Sequence, residues 1–89
     1  MIERRLQIVN KLGLHARAAA KLVRAASGFR SQIVIRKDGN EVDGKSILGV
    51  LMLAAAQGTQ ITLRVTGQDE RDAADALQSL IADRFGERE

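Results

Sequence analysis

The stretch that most constrains the fold is Gln60 to Thr66, QITLRVT, which sets Ile61, Leu63 and Val65 strictly against Thr62, Arg64 and Thr66. Successive side chains on a strand point to opposite faces, so this alternation predicts a strand with one face on a core and one in water. A sheet wetted on one side needs a layer over the other. Two further stretches have the same character. Ile2 to Val9 places Ile2, Leu6 and Ile8 on one parity and Glu3, Arg5 and Gln7 on the other. Ser31 to Lys37 carries Ile33, Val34 and Ile35, and Asp38-Gly39 after it is a strong hairpin signal with Asn40 to Asp43 as the short return strand.

Between the strands the period changes. Asn10 to Leu14 reads as a loop with a turn glycine, and Ala16 to Ser27 as a helix with Ala19, Leu22, Val23 and Ala26 on one face. Gly28 is placed as a left-handed residue ending it. Ser46 is a natural N-cap for ILGVLMLAAA, and Gln57-Gly58 a natural stop. A last helix starts at Asp69 or Glu70 and turns Ala73, Ala74, Leu77, Leu80, Ile81 and Phe85 to the core. Its early acids and late Arg84 suit the helix dipole. Gly86 to Glu89 is charged and expected to fray. The order is β-α-β-β-α-β-α, an α+β chain with a four-stranded sheet and all helices on one face. No repeat, low-complexity run or linker interrupts residues 1–89, which read as one domain.

Composition narrows the function. Apolar residues are 45% and aromatics 2%, so the core must be built from Leu, Ile, Val, Met and Ala. No apolar run approaches about 18 residues, which disfavours a membrane span. The start MIERRLQIVN lacks an apolar signal core, so no secretion is expected. The absence of cysteine excludes disulfides and thiolate catalysis and fits a reducing cytoplasm. With one histidine as well, a metal site is disfavoured. A net charge of +3 points to an acidic partner. Nucleic acid is the poorer choice, because base stacking wants exposed aromatics and only Phe29 and Phe85 are present. An acidic protein surface is the better one.

The chemistry concentrates in NKLGLHARAAAK, from Asn10 to Lys21, which holds the only histidine, His15. A neutral imidazole is a competent nucleophile near neutral pH. At the start of a helix it would face the free N–H groups of the first turn, here those of Ala16 and Arg17, which form a ready anion site. The Arg17 guanidinium could grip phosphate oxygens. Each feature also has an ordinary reading. A histidine at a helix start is more often a cap or a surface residue. Arg17, Lys21 and Arg24 form a basic stripe of the kind that is usually a solvated face. The residues by themselves reach a phosphate or anion site and no further.

GLHARAAAKLV together with GKSILGVLMLAAAQGTQI closely resembles the HPr/NPr phosphocarrier family of the bacterial phosphoenolpyruvate-dependent phosphotransferase system, over essentially the whole chain. The resemblance implies an HPr-like open-faced β-sandwich, with three helices on one face of a four-stranded antiparallel sheet. It implies that His15 is phosphorylated on Nδ1 by enzyme I and passes the group to an enzyme IIA domain, with Arg17 contacting the phosphoryl group. No cofactor is called for, because the partner enzymes supply the rest. Many family members carry proline where this chain has Ala18, and some sugar-pathway members a polar residue where it has Leu12. NKLGLHAR looks more like the nitrogen-branch relative, which leaves the downstream acceptor open.

Ser46 as an N-cap is worth roughly 1 kcal/mol, which alone could explain it. The resemblance adds that Ser46 matches the site phosphorylated by HPr kinase/phosphorylase. A dianion there would repel an acidic partner face and weaken loading of His15. Ile47, Leu48 and Leu51 belong to a run apolar almost all round and are expected to stay partly exposed as a docking patch beside His15. Lys21 and Arg24, with Arg17, would form its basic rim. A monomer is the simplest state for such a carrier. The rival reading is a mainly regulatory protein that acts through Ser46 and partner binding, with little flux through His15.

Overall fold

β4 (Gln60–Thr66) is the strand around which the sheet is assembled. In the computed structural model, which describes residues 1–89, it lies between β1 (Ile2–Gln7) and β2 (Gln32–Lys37), and β3 (Asn40–Asp43) completes the order β1-β4-β2-β3. Every pairing is antiparallel. The alternation in the sequence explains the register. Leu6 lies opposite Ile61, and Ile33 and Ile35 lie opposite Val65 and Leu63, all on one face. On β2 and β4 that apolar set is buried. Fully burying one such side chain contributes about 1.5–3 kcal/mol. The hairpin turn has φ +51° at Asp38 and +83° at Gly39, as a two-residue connection matching strand twist requires.

The other face of the sheet is wet and carries cross-strand charges. Arg64 meets Glu41 at 3.0 Å and Arg36 approaches Glu3 at 3.9 Å. Exposed pairs of this kind contribute little each. Arg4 shares the parity of Ile2 and Leu6, yet it is polar. Its guanidinium reaches Asp75 Oδ1 at 2.8 Å and Gln78 Oε1 at 2.7 Å, so it hooks the edge strand to the last helix.

Three helices cover the inner face: α1 (Ala16–Ser27), α2 (Ile47–Met52) and α3 (Glu70–Ala82). α1 buries Ala18, Ala19, Leu22 and Ala26 and half-buries Val23. α3 buries Ala73, Ala74, Leu77 and Ile81, with Leu80 half-buried. Alanine at so many contact positions lets the helices lie close to a sheet whose own side chains are branched. Gly28 ends α1 in the right-handed region, φ −77°, rather than the expected left-handed one.

Two other expectations fail. α2 was expected to run through LAAA, but it stops at Met52. Ala54 is left-handed at φ +51°, and the chain turns out so that the Ala55 carbonyl can accept from Leu14 N–H at 2.9 Å. Lys37 Nζ donates to the Leu53 and Ala54 carbonyls at 2.9 and 3.3 Å, serving the oxygens the short helix leaves open. Good local propensity is overridden by tertiary contacts.

The tail, expected to fray, is docked. A short 3-10 turn at Arg84–Gly86 follows α3, with φ +58° at Arg84, +55° at Phe85 and +76° at Gly86. Left-handed geometry costs a residue with a Cβ roughly 1–2 kcal/mol. Phe85 is fully buried, which offsets a cost of that size. Beyond it, the Glu89 carbonyl accepts from Lys11 N–H at 2.7 Å, and Lys11 Nζ pairs with the Glu89 carboxylate at 3.2 Å.

Candidate functional site

The loop between β1 and α1 brings the histidine to the surface. Gly13 has φ +68°, and a Cβ there would meet the Ala55 carbonyl oxygen at 2.5 Å, so only glycine fits. Asn10 is wholly buried, and its Nδ2 donates to the Gly13 carbonyl at 2.8 Å, which holds the turn. Leu14 is buried, so the next residue, His15, must turn outward.

His15 is the N-cap of α1, with extended backbone (φ −71°, ψ 176°). Its Nδ1 accepts from the Arg17 N–H at 3.3 Å. An acceptor nitrogen carries a lone pair, so the ring proton is on Nε2. Nε2 in turn donates to Glu87 Oε2. The other oxygen, Oε1, accepts from Asn10 Nδ2 at 3.0 Å. The hydrogen bond from His15 foremost, and that from Asn10 second, hold the Glu87 carboxyl below the usual carboxylate range. Burial opposes them, and the nearby charge of Lys21 adds to the lowering. The His15 side chain keeps 26% of its surface exposed, enough for a partner to reach it.

The first turn of α1 contains no acidic residue. Its Arg17 side chain is exposed, while the Arg17 N–H is engaged by His15 Nδ1. Lys21 is half-buried and donates from Nζ to the Phe85 carbonyl at 2.7 Å, which ties the tail to α1. Arg24 is exposed further along the helix.

This chain matches the family model "PTS HPr component phosphorylation site" over residues 2–83. The chain belongs to the HPr family. It is 55% identical to the phosphocarrier protein HPr of Cupriavidus necator over 89 residues, 100% of each chain. Among solved structures, HPr-C-His from Thermoanaerobacter tengcongensis superposes with a TM-score of 0.97 at 46% identity, covering 100% of both chains. An HPr dimer from the same organism gives 0.79 at 47% identity, covering 98% of this chain and 100% of that one. The open-faced sheet with three helices implied by the resemblance is the fold observed.

The remaining HPr positions picked out in the sequence are placed as follows. Ser46 is the N-cap of α2, and its Oγ accepts from Gly49 N–H at 3.1 Å. Lys45 beside it is engaged elsewhere, its Nζ donating to the Phe29 carbonyl at 2.7 Å. On α2, Ile47 is exposed, Leu48 is 70% exposed and Leu51 is half-buried. Met52 at 81% and Leu12 at 68% are exposed as well. Ala18 is fully buried in the first turn of α1. Glu87 and Asn10 were not singled out by sequence reasoning. The one signal pointing to the tail was Phe85, a core-type residue just before it.

Proposed function

We propose that the chain is a stoichiometric phosphoryl carrier of the phosphotransferase system, one domain over residues 1–89, with His15 as the acceptor. The observation that carries this is the seat of His15 at the head of α1, where the Nδ1 lone pair faces the Arg17 N–H. In loading, that lone pair forms an N–P bond while the bond from phosphorus to its donor, enzyme I, breaks with its electron pair leaving on the donor. Unloading to an enzyme IIA domain runs the same exchange the other way. Once the Nδ1 lone pair is spent on phosphorus the Arg17 N–H is released from it, and with the Ala16 N–H and the Arg17 guanidinium it holds the phosphoryl oxygens. Nothing in this exchange needs a metal or cofactor held by the carrier.

Ile47, Leu48 and Leu51 form the apolar contact for both partners, with Lys21 and Arg24 on its basic edge. The chain works in the cytoplasm as a monomer, a state that light scattering at micromolar concentration tests directly. No helix is long and apolar enough to cross a membrane.

The test is incubation with enzyme I, phosphoenolpyruvate and Mg²⁺, followed by intact mass. One acid-labile phosphoryl group on the wild type, absent from His15→Ala, is the expected result. No adduct with an active enzyme I removes the carrier reading.

A second reading makes the chain mainly regulatory, with HPr kinase/phosphorylase acting on Ser46. It is favoured by one observation: Ser46 starts a helix whose first turn holds no acidic residue, a place that tolerates a phosphate. A protein that takes phosphate on Ser46 but none on His15 would answer to this description.

A further inference from the structure

The C-terminal segment is built to deliver one carboxylate. Phe85 is fully buried and its carbonyl is held by Lys21 Nζ at 2.7 Å, so the turn preceding Glu87 is fixed to both the core and α1. The Glu89 carbonyl is held by Lys11 N–H at 2.7 Å on the other side. Between these two anchors, Glu87 Oε1 is pinned by the buried Asn10 amide and Oε2 is left for His15 Nε2. Asn10 also fixes the Gly13 carbonyl, two residues before His15, so one amide ties the histidine loop to the tail.

Resting on the reading of His15 as the phosphoryl acceptor, we propose that Glu87 is its positioning residue: it holds the ring in the Nε2–H form and turns Nδ1 toward the head of α1. A carboxylate can only accept, so the nitrogen bonded to it must carry the proton. That leaves the lone pair on the other nitrogen. The arrangement has the logic of a carboxylate orienting a histidine in a catalytic triad, with a phosphorus atom in place of a proton on the far side.

The carboxylate also matters while the group is bound. When the Nδ1 lone pair forms the N–P bond, the Nε2 proton stays and the ring becomes a phosphoryl imidazolium. Glu87 then faces a positive ring. When the N–P bond breaks toward the next acceptor, its electron pair returns to Nδ1 and the ring is neutral again, so no proton enters or leaves in either step. Other charges in reach are Arg17 and Lys21 on α1, Lys11 in the loop, and Arg88 and Glu89 in the tail. The cations among them offset the repulsion between Glu87 and the incoming phosphoryl group.

The experiment uses the full chain as wild type, Glu87→Gln and Glu87→Ala. Two-bond proton–nitrogen spectra read the His15 tautomer, and rapid-quench transfer from phosphorylated enzyme I reads the rate. The wild-type ring is expected to be protonated on Nε2. Glu87→Ala should still take one phosphoryl group, about tenfold more slowly at saturating donor, the scale of losing one charged hydrogen bond. The donor concentration for half-maximal rate should not change, because Glu87 faces His15 and not the partner. Its spectrum should show mixed tautomers. Glu87→Gln, whose single oxygen can be turned to His15 Nε2 only by giving up the Asn10 contact, should restore the Nε2–H signature and part of the rate. A folded Glu87→Ala with the wild-type spectrum and rate overturns the proposal. So does a wild-type ring protonated on Nδ1, which needs no variant to fold. Absence of any adduct on the wild type is a different failure, that of the carrier reading itself.

Discussion

The N-terminal ends of α1 and α3 are filled in opposite ways. α3 carries Glu70 and Asp72 in its first turn, and Glu70 also accepts from Gly67 N–H at 3.1 Å and meets the Met1 ammonium at 2.9 Å. α1 carries no acid there and opens on an imidazole. One helix supplies its own anions, and the other has none of its own in its first turn. α2 falls between them, with no acid and only the Ser46 hydroxyl as cap. On the carrier reading, the lesson is that a helix start becomes a receiving site by what is withheld from its first turn as much as by the group placed at its head.

Making α1 resemble α3 should do the most damage. Arg17→Glu places a carboxylate where the phosphoryl oxygens arrive and removes the guanidinium. Transfer from enzyme I is expected to fall about a hundredfold or more, since a charged hydrogen bond is lost and a like charge gained. Thermal unfolding should change little, because an acid near a helix start is itself favourable. A rate within threefold of the wild type would break the contrast between the two helices.

The second test is at α3. Asp69 stands in the N-cap place but sends its carboxylate sideways, accepting from Ser31 Oγ at 2.6 Å and from the Arg30 and Ser31 N–H groups at 2.9 Å each. The Ser31 hydroxyl first, then the Arg30 N–H, lower its pKa from 3.8 to about 2 against the opposing effect of burial. A depressed folded-state value favours the charged form, so this stability is present above the unfolded value and is lost as pH falls through the folded one. Acid unfolding should therefore steepen between pH 3.8 and about 2. Asp69→Asn should be less stable at neutral pH and lose that part of the acid limb. An unchanged limb would show that the carboxylate is not held in solution.

Ser46→Ala should cost roughly 1 kcal/mol through loss of the cap, read as a drop of several degrees in melting temperature. Transfer to His15 should stay near the wild-type rate. The smallest effect is expected at the rim. Arg24→Glu should slow loading a few-fold at low salt and less at high salt, as screening removes steering. A slowing insensitive to salt would point to a direct contact instead.

Much of this was legible because it is local. The alternation of Gln60 to Thr66, the Asp38-Gly39 turn and the apolar face of Ala16 to Ser27 each follow from side chains a few residues apart. The place of His15 at a helix head was legible in the same way. The end of α2 was not, because LAAA has good helix propensity and what stops it is Leu14 and Lys37, distant in sequence. Glu87 was hidden for a similar reason. A charged GERE end reads as solvated, and its partners His15 and Asn10 lie at the opposite end of the chain. A carboxylate's partner cannot be read from composition.

The exposed edge of a single imidazole has a kinetic consequence. On the carrier reading, donor and acceptor must each cover the His15 ring to reach it. A ternary complex in which both touch the ring is not expected, because one imidazole edge cannot take two covers at once. Each cycle must include a full departure, so throughput depends on release as much as on chemistry. Raising the acceptor concentration far above need should slow the relay, by occupying carriers that have not yet been loaded.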